Sequence, residues 1–212
     1  MCGRYELTTK FKELPSLLKK NFPAGLNKKY AQQELIKPFD PVLVLINEGK
    51  ITTSIMLWGF ISQWAKNPFD KEKSRPFNAR VETVEKKKLF KGSWRHKRCL
   101  IPANGFFEKG HRITRKDKQP FWLGGIWNRW MSHEGSELNS CCILTTQANE
   151  LIEPLHHRMP VVITNGLEEE WIAAITDVQD LNRLKMISGK WNPEEWKAES
   201  INKKQTNQLS LF

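Results

Sequence analysis

A chain of 212 residues that is 39% hydrophobic and 10% aromatic, with nine Trp and eleven Phe, holds enough apolar material to bury a core, and its length excludes two large domains. Its 34 Lys and Arg against 23 Asp and Glu leave a formal charge of +11, at a mean hydropathy of -0.56, a field that attracts polyanions such as nucleic acid or an anionic lipid surface. Clean apolar runs such as Val42 to Ile46 fall far short of the roughly 20 residues that a bilayer span requires.

Met1-Cys2-Gly3-Arg4-Tyr5-Glu6 has neither the basic-then-apolar plan of a secretory signal nor a myristoylation pattern, so a cytoplasmic chain is expected. Thr9 to Lys20 sets Phe11, Leu14, Leu17 and Leu18 at helical spacing behind a capping Thr, with Pro15 tolerable only near the first turn. Val42 to Ile46 and Ile51 to Trp58, joined across Asn47-Glu48-Gly49-Lys50, read as a hairpin, and an aromatic loop with Trp58, Phe60 and Trp64 follows. Val81 to Phe90 is expected as a short basic helix. Further strands are expected at Arg98 to Pro102, Phe106 to Glu108, Pro120 to Trp127, Cys141 to Thr145 and Met159 to Thr164. Glu168-Glu169-Glu170 opens a helix with carboxylates at its positive end and continues through Ile175, and Asp180 to Ile187 is a second helical stretch. Strands and helices without regular alternation predict an α+β fold, one β-rich domain over residues 1–200 with a polar tail over residues 201–212.

Cys2, Cys99, Cys141 and Cys142 are too few for a disulfide framework and contain no C-x-x-C pair, so reduced thiols are expected. A zinc site built from Cys99, Cys141, Cys142 and His96 has poor spacing, and no metal or organic cofactor is expected. Cys2 is the informative cysteine. Removal of Met1 leaves an amine and a thiol on adjacent carbons, a 1,2-aminothiol that condenses with an aldehyde to an imine and then closes to a thiazolidine. An α-amine of pKa about 7.7–8.0 is roughly a tenth free base at neutral pH, far more than any lysine.

The blocks Met1-Cys2-Gly3-Arg4, Trp58-Gly59-Phe60, Phe77-Asn78-Ala79-Arg80-Val81-Glu82-Thr83, Arg98-Cys99-Leu100-Ile101-Pro102-Ala103-Asn104-Gly105-Phe106-Phe107-Glu108, Thr145-Thr146-Gln147-Ala148-Asn149 and His156-His157-Arg158-Met159-Pro160, in this order, resemble the SOS response associated peptidase (SRAP) family from residue 1 to about residue 164. The resemblance implies a single domain of mixed, partly barrel-like sheets with peripheral helices. It also implies covalent capture of abasic sites in single-stranded DNA by the N-terminal Cys, a shielding role in the DNA damage response, and peptidase- or lyase-like chemistry with Cys2 as nucleophile. By resemblance, Glu108 shuttles protons, His156 protonates the sugar ring oxygen as it opens, and Asn78 holds the terminus and the lesion. Arg80, Arg158 and Arg4 are implied phosphate ligands.

The run Lys86, Lys87, Lys88, Lys91, Arg95, Lys97 and Arg98 contains no acid and suits a phosphate track, with Lys88 and Arg98 as its candidate contacts. Trp58 and Trp64 are candidates to stack on bases. Three departures from the family pattern stand out: Glu34-Leu35-Ile36-Lys37-Pro38 keeps only the proline of the usual Tyr-Asn-x-Ala-Pro, Lys109 replaces an aromatic, and Ser62 a proline. Gln208, Leu209, Leu211 and Phe212 resemble the pentapeptide with which bacterial proteins dock on the replicative sliding clamp, and the chain is expected to be a monomer. Competing readings are an N-terminal-Cys amidotransferase with Asn104-Gly105 in an oxyanion hole, a peptidase acting on proteins, and a non-covalent nucleic-acid-binding module.

Overall fold

A computed structural model describes residues 2–25, 27, 30–70, 75–189 and 191–201, apart from the side chain of Val178. In chain order the strands are β1 (Tyr5–Leu7), β2 (Gln33–Ile36), β3 (Pro41–Asn47), β4 (Ile51–Trp58), β5 (Asn78–Arg80), β6 (Arg98–Ala103), β7 (Gly105–Glu108), β8 (His111–Arg115), β9 (Phe121–Met131), β10 (Glu137–Gln147), β11 (Arg158–Pro160), β12 (Val162–Ile163) and β13 (Trp196–Ser200). The helices are α1 (Ser16–Lys20), α2 (Val81–Val84), α3 (Lys88–His96), α4 (Glu168–Ile172) and α5 (Val178–Ile187).

Strands β10, β4, β3, β6 and β9 pair in that order, and β9 pairs back onto β10, which closes a five-stranded barrel. Each pairing around the ring is antiparallel except β4 with β10. The expected α+β architecture with a partly barrel-like sheet is therefore the observed one. The barrel's strands are rich in β-branched and aromatic residues, which pack well on a pleated surface. Cys99, Cys141 and Cys142 are fully buried within it, and burial pushes all three thiols above their ordinary range. Gly125 fits because a Cβ there would stand 2.9 Å from both the Cys142 carbonyl and the Cys99 sulfur.

A second sheet, in the order β13-β8-β7-β1-β2, carries the chain's start. β1 pairs antiparallel with β7 through Tyr5 opposite Phe106 and Glu6 opposite Gly105. The Phe107 amide then donates to the Arg4 carbonyl at 2.9 Å, so the register carries Cys2 and Gly3 toward Glu108. From the barrel side, β5 runs parallel to β10 with Asn78 beside Ile143, and β11 pairs with the end of β10 through Arg158 opposite Gln147. Asn78 and the His156 loop thus meet at one edge of the barrel, where the second sheet delivers Cys2 and Glu108.

The elements differ from expectation where local chemistry decides. Pro15 cannot donate a backbone hydrogen bond, so the expected Thr9–Lys20 helix is a 3-10 turn at Phe11–Glu13 followed by α1. The basic helix expected over residues 81–90 is α2 and then α3, with extended backbone at Lys87 between them. The helix opened by Glu168 stops at Ile172, where Ala173 is already extended. Asp177 and Asp180 form a capping box that starts α5 earlier than expected.

Arg98 is not a DNA contact. It is 3% exposed, and its guanidinium donates to the carbonyls of Trp94 at 2.8 Å, Arg95 at 2.7 Å and Trp171 at 2.7 Å, and to that of Ala173. These carbonyls lie at the ends of α3 and α4, which lack intrahelical partners, so Arg98 ties both helices to the barrel.

Candidate nucleic-acid-reactive site

Cys2 is 1% exposed. Its thiol lies 3.7 Å from the Arg4 carbonyl, and its own carbonyl accepts from the Asn78 side-chain amide at 2.9 Å. The other end of that amide, Asn78 Oδ1, is buried with no hydrogen-bond partner. Burial pushes the Cys2 thiol up to about 12, and the nearby charge of Glu108 adds to the shift. Glu108, buried at the end of β7, also acts on His156, whose pKa burial lowers and Glu108 partly restores. One carboxylate therefore lies close enough to act electrostatically on both the thiol and the imidazole.

The imidazole's tautomer follows from its backbone. The Arg158 amide donates to His156 Nδ1 at 2.9 Å, so the neutral ring carries its proton on Nε2. His157 is exposed and stacks on His156 with ring centroids 4.3 Å apart at 23°.

A cleft of about 400 Å³ opens beside these groups, lined by Gly3, Arg4, Lys37, Pro38, Phe107, Glu108 and Lys109. Arg4 and Arg80 are exposed. Trp64 is 55% exposed, with the Lys88 ammonium 5.4 Å above its ring. Lys37 and Lys109 escaped the sequence reading as site residues. The available signal was that both fall at the departures from the family pattern, and Lys109 adopts a positive φ of 43° in the β7–β8 turn.

Two further expectations are corrected. Trp58 is fully buried, donates from Nε1 to the Phe77 carbonyl at 2.8 Å and packs edge-on against Tyr5 at 5.3 Å, so it belongs to the core. Arg158 has a side chain only 7% exposed. It forms a two-pronged pair with Glu82 at 2.7 and 2.8 Å and donates to the Thr145 carbonyl at 2.6 Å, which leaves it positioning the His156 loop and not reaching a phosphate. Burial opposes the charge on Glu82, yet the hydrogen bonds from Arg158 hold its pKa below the ordinary value.

Asn104 is also occupied. Its Oδ1 accepts from the amides of Thr8 and Thr9 at 2.8 and 2.9 Å and from the Thr9 hydroxyl at 2.9 Å, which fixes the exit of β1. Gln208, Leu209, Leu211 and Phe212 lie outside the described residues. Among the described residues, no group of three or more His, Cys, Asp and Glu is placed to hold a metal ion, and no helix is long and apolar enough to cross a membrane.

The family model described as SOS response associated peptidase (SRAP) matches residues 1–207. The abasic site processing protein YoqW of Bacillus subtilis (strain 168) is 34% identical over 184 residues, covering 81% of this chain and 80% of its own. YoaM of the same strain, also an abasic site processing protein, is 34% identical over 185 residues, covering 81% and 79%. A crystal structure of a protein from Bacteroides thetaiotaomicron matches with a TM-score of 0.82 at 22% identity, over 97% of this chain and 94% of that one, a likeness of fold.

Proposed function

The chain belongs to the SOS response associated peptidase (SRAP) family, and from that premise we propose that it captures abasic sites in single-stranded DNA as a covalent thiazolidine on Cys2. The observation that carries the reading is the convergence of the Cys2 thiol, Glu108 and His156 beside one cationic cleft. In this reading, Met1 is removed and the freed α-amine attacks the C1′ aldehyde, the hydroxyl of the resulting carbinolamine leaving as water to give an imine. The thiol sulfur then adds to the imine carbon. Its proton passes to Glu108 and from there to the imine nitrogen, so the ring closes with no net gain or loss of protons.

His156, with its Nε2 proton, is suited to donate to the ring oxygen as the deoxyribose opens to the aldehyde. Asn78 holds the terminus through the Cys2 carbonyl, and its unpartnered Oδ1 is an acceptor for the freed amine. Arg4, Arg80 and Lys88 hold the phosphates, and Trp64 stacks on a base.

The test is a denaturing gel after mixing the chain with single-stranded DNA bearing one abasic site. The native chain is expected to give a heat-stable adduct and Cys2→Ala none. Cys2→Ser is expected to give only a heat-labile species, because the hydroxyl is a poor ring-closing nucleophile. Equal stability of the Ser and Cys adducts would defeat the thiol's role. The C-terminal Gln208, Leu209, Leu211 and Phe212 are proposed to dock on the replicative sliding clamp. Deleting residues 208–212 should abolish clamp pull-down and leave crosslinking intact.

A further inference from the structure

Three described residues other than glycine have positive φ: Phe39, Lys109 and Lys118. Phe39, at 77°, is the bulky one, and a large side chain in this region is strained. The turn around it enforces the conformation. The Phe39 amide donates to the Trp58 carbonyl at 2.7 Å, the Trp58 amide to the Asp40 carbonyl at 3.0 Å, and the Asp40 amide to the Lys37 carbonyl at 3.1 Å. The Lys37 amide donates to the Asp40 carboxylate at 2.7 Å.

What this turn presents is an apolar ring in water, for Phe39 is 49% exposed. The ring rests against Gly59, where a Cβ would come within 2.9 and 3.0 Å of two of its carbons. The Arg75 guanidinium lies 4.9 Å from its centroid. The ring's place in the surface is equally specific. Its neighbours Lys37 and Pro38 line the cleft with Arg4 and Glu108. Arg75 lines a second hollow, of about 220 Å³, with Phe60 and Trp64. Phe39 and Arg75 therefore bridge the reactive cleft and the Trp64 surface.

We propose that Phe39 and Arg75 form a stacking shelf for the nucleobase next to the damaged sugar, so that the chain reads an unpaired neighbouring base as well as the aldehyde. This rests on the abasic-site reading and deepens it. The occupant follows from the chemistry of the shelf. A flat aromatic face calls for a flat partner, and the cations on either side call for phosphates attached to it. A nucleotide of a single strand supplies both, since a base in a duplex has its faces covered by its neighbours.

The experiment measures binding by fluorescence anisotropy to strands containing tetrahydrofuran, an abasic analogue without an aldehyde. One strand has bases on both sides of the analogue, and two others replace the 5′ or the 3′ neighbour with a second tetrahydrofuran. Phe39→Gly removes the ring, keeps the turn's backbone hydrogen bonds and suits the positive φ, so a cooperative melt is expected. Loss of one base–aromatic stack predicts binding to the base-flanked strand weaker by about tenfold. That difference should vanish on one of the two strands lacking a neighbour base, and Phe39→Trp should bind like the native chain. Equal affinities of Phe39→Gly and the native chain on every strand would overturn the shelf, as would an equal loss on every strand. A native chain that binds these strands but forms no adduct with an authentic abasic site would defeat the thiazolidine reading and leave the shelf standing. No binding of the native chain to any strand would overturn the shelf, while the thiazolidine reading would still stand or fall on the adduct with an authentic abasic site.

Discussion

Replacing Arg98 with Met separates a structural arginine from a DNA contact, because the two roles predict opposite readouts. Arg98 remains protonated at neutral pH even though burial draws its pKa down to about 10. Its four hydrogen bonds end on carbonyls of Trp94, Arg95, Trp171 and Ala173. Hydrogen bonds from a charged donor are each worth about 1.5–3 kcal/mol, but keeping a guanidinium out of water costs several kcal/mol in return. Met removes both terms, fills the stem's volume and leaves the carbonyls without their donor. With part of the penalty relieved by relaxation of the helix ends, the net loss is about 3 kcal/mol. For a domain of this length, each kcal/mol shifts Tm by about 2–4 °C, so Arg98→Met should melt roughly 6–12 °C lower by circular dichroism. At a temperature where the variant is folded, its Kd for single-stranded DNA should stay within about twofold of the native value, since no phosphate contact is lost. An unchanged Tm with a tenfold weaker Kd would refute the reasoning and return Arg98 to the DNA interface.

Further expectations rest on other parts of the structure. Each of Arg80→Gln and Lys88→Gln should lessen the slope of log K against log salt by about 0.7, the share of one phosphate contact on a single strand; an unaltered slope would remove that residue from the track. Glu82→Gln should release Arg158 and with it the His156 loop, slowing single-turnover adduct formation roughly tenfold, while a rate equal to the native one would show that the pair does not position His156. Because the Cys2, Cys99, Cys141 and Cys142 thiols are held above the ordinary value of 9.0, the folded chain keeps protons that the unfolded chain sheds as pH rises past that value. The unfolded state then binds fewer protons, so stability is full below about pH 9 and declines above it. The urea midpoint should fall between pH 8 and pH 10.5, and fall less in Cys141→Ala; identical declines would assign the loss to other groups.

Legibility in the sequence tracked how much of each element's fate was local. The hairpin of β3 and β4 was readable because a continuous apolar run, a turn at Gly49 and a second apolar-rich stretch follow one another between Pro41 and Trp58. β2, with Gln33, Glu34 and Leu35 all partly or fully exposed, and β8 and β13, with charged outer faces, were not readable. Their apolar signal is weak, and β2 and β13 also pair with strands distant in sequence, while β8 follows β7 across a tight turn. The site divided in the same way. The terminal Cys, Glu108 and His156 were accessible as motif residues. The sequence could not tell an inward arginine from an outward one: Arg80 and Arg158 lie at the ends of short strands that both pair with β10, yet one is exposed and the other is locked by Glu82. It could not separate Trp58 from Trp64 either, six residues apart, because a strand's last core position and a loop's exposed tip use the same side chain.

The burial of Cys2 has a chemical consequence that unites these features. A thiol whose pKa is about 12 is a thiolate in only about one molecule in a hundred thousand at pH 7, against a few per cent for an unperturbed cysteine. Such a sulfur is a poor first nucleophile and a poor target for oxidants and stray electrophiles, which attack the thiolate. In the proposed chemistry the order of events is then imposed by the fold: the α-amine, roughly a tenth free base near neutrality, must take the aldehyde first. Once the imine exists, its carbon is tethered to the carbon that bears the sulfur through only the imine nitrogen and Cα, and proximity replaces intrinsic reactivity. Glu108, whose charge disfavours a standing thiolate, is suited to accept the proton only as the C–S bond forms. In the proposed chemistry the same carboxylate that disfavours the resting thiolate would serve as the base while the ring closes.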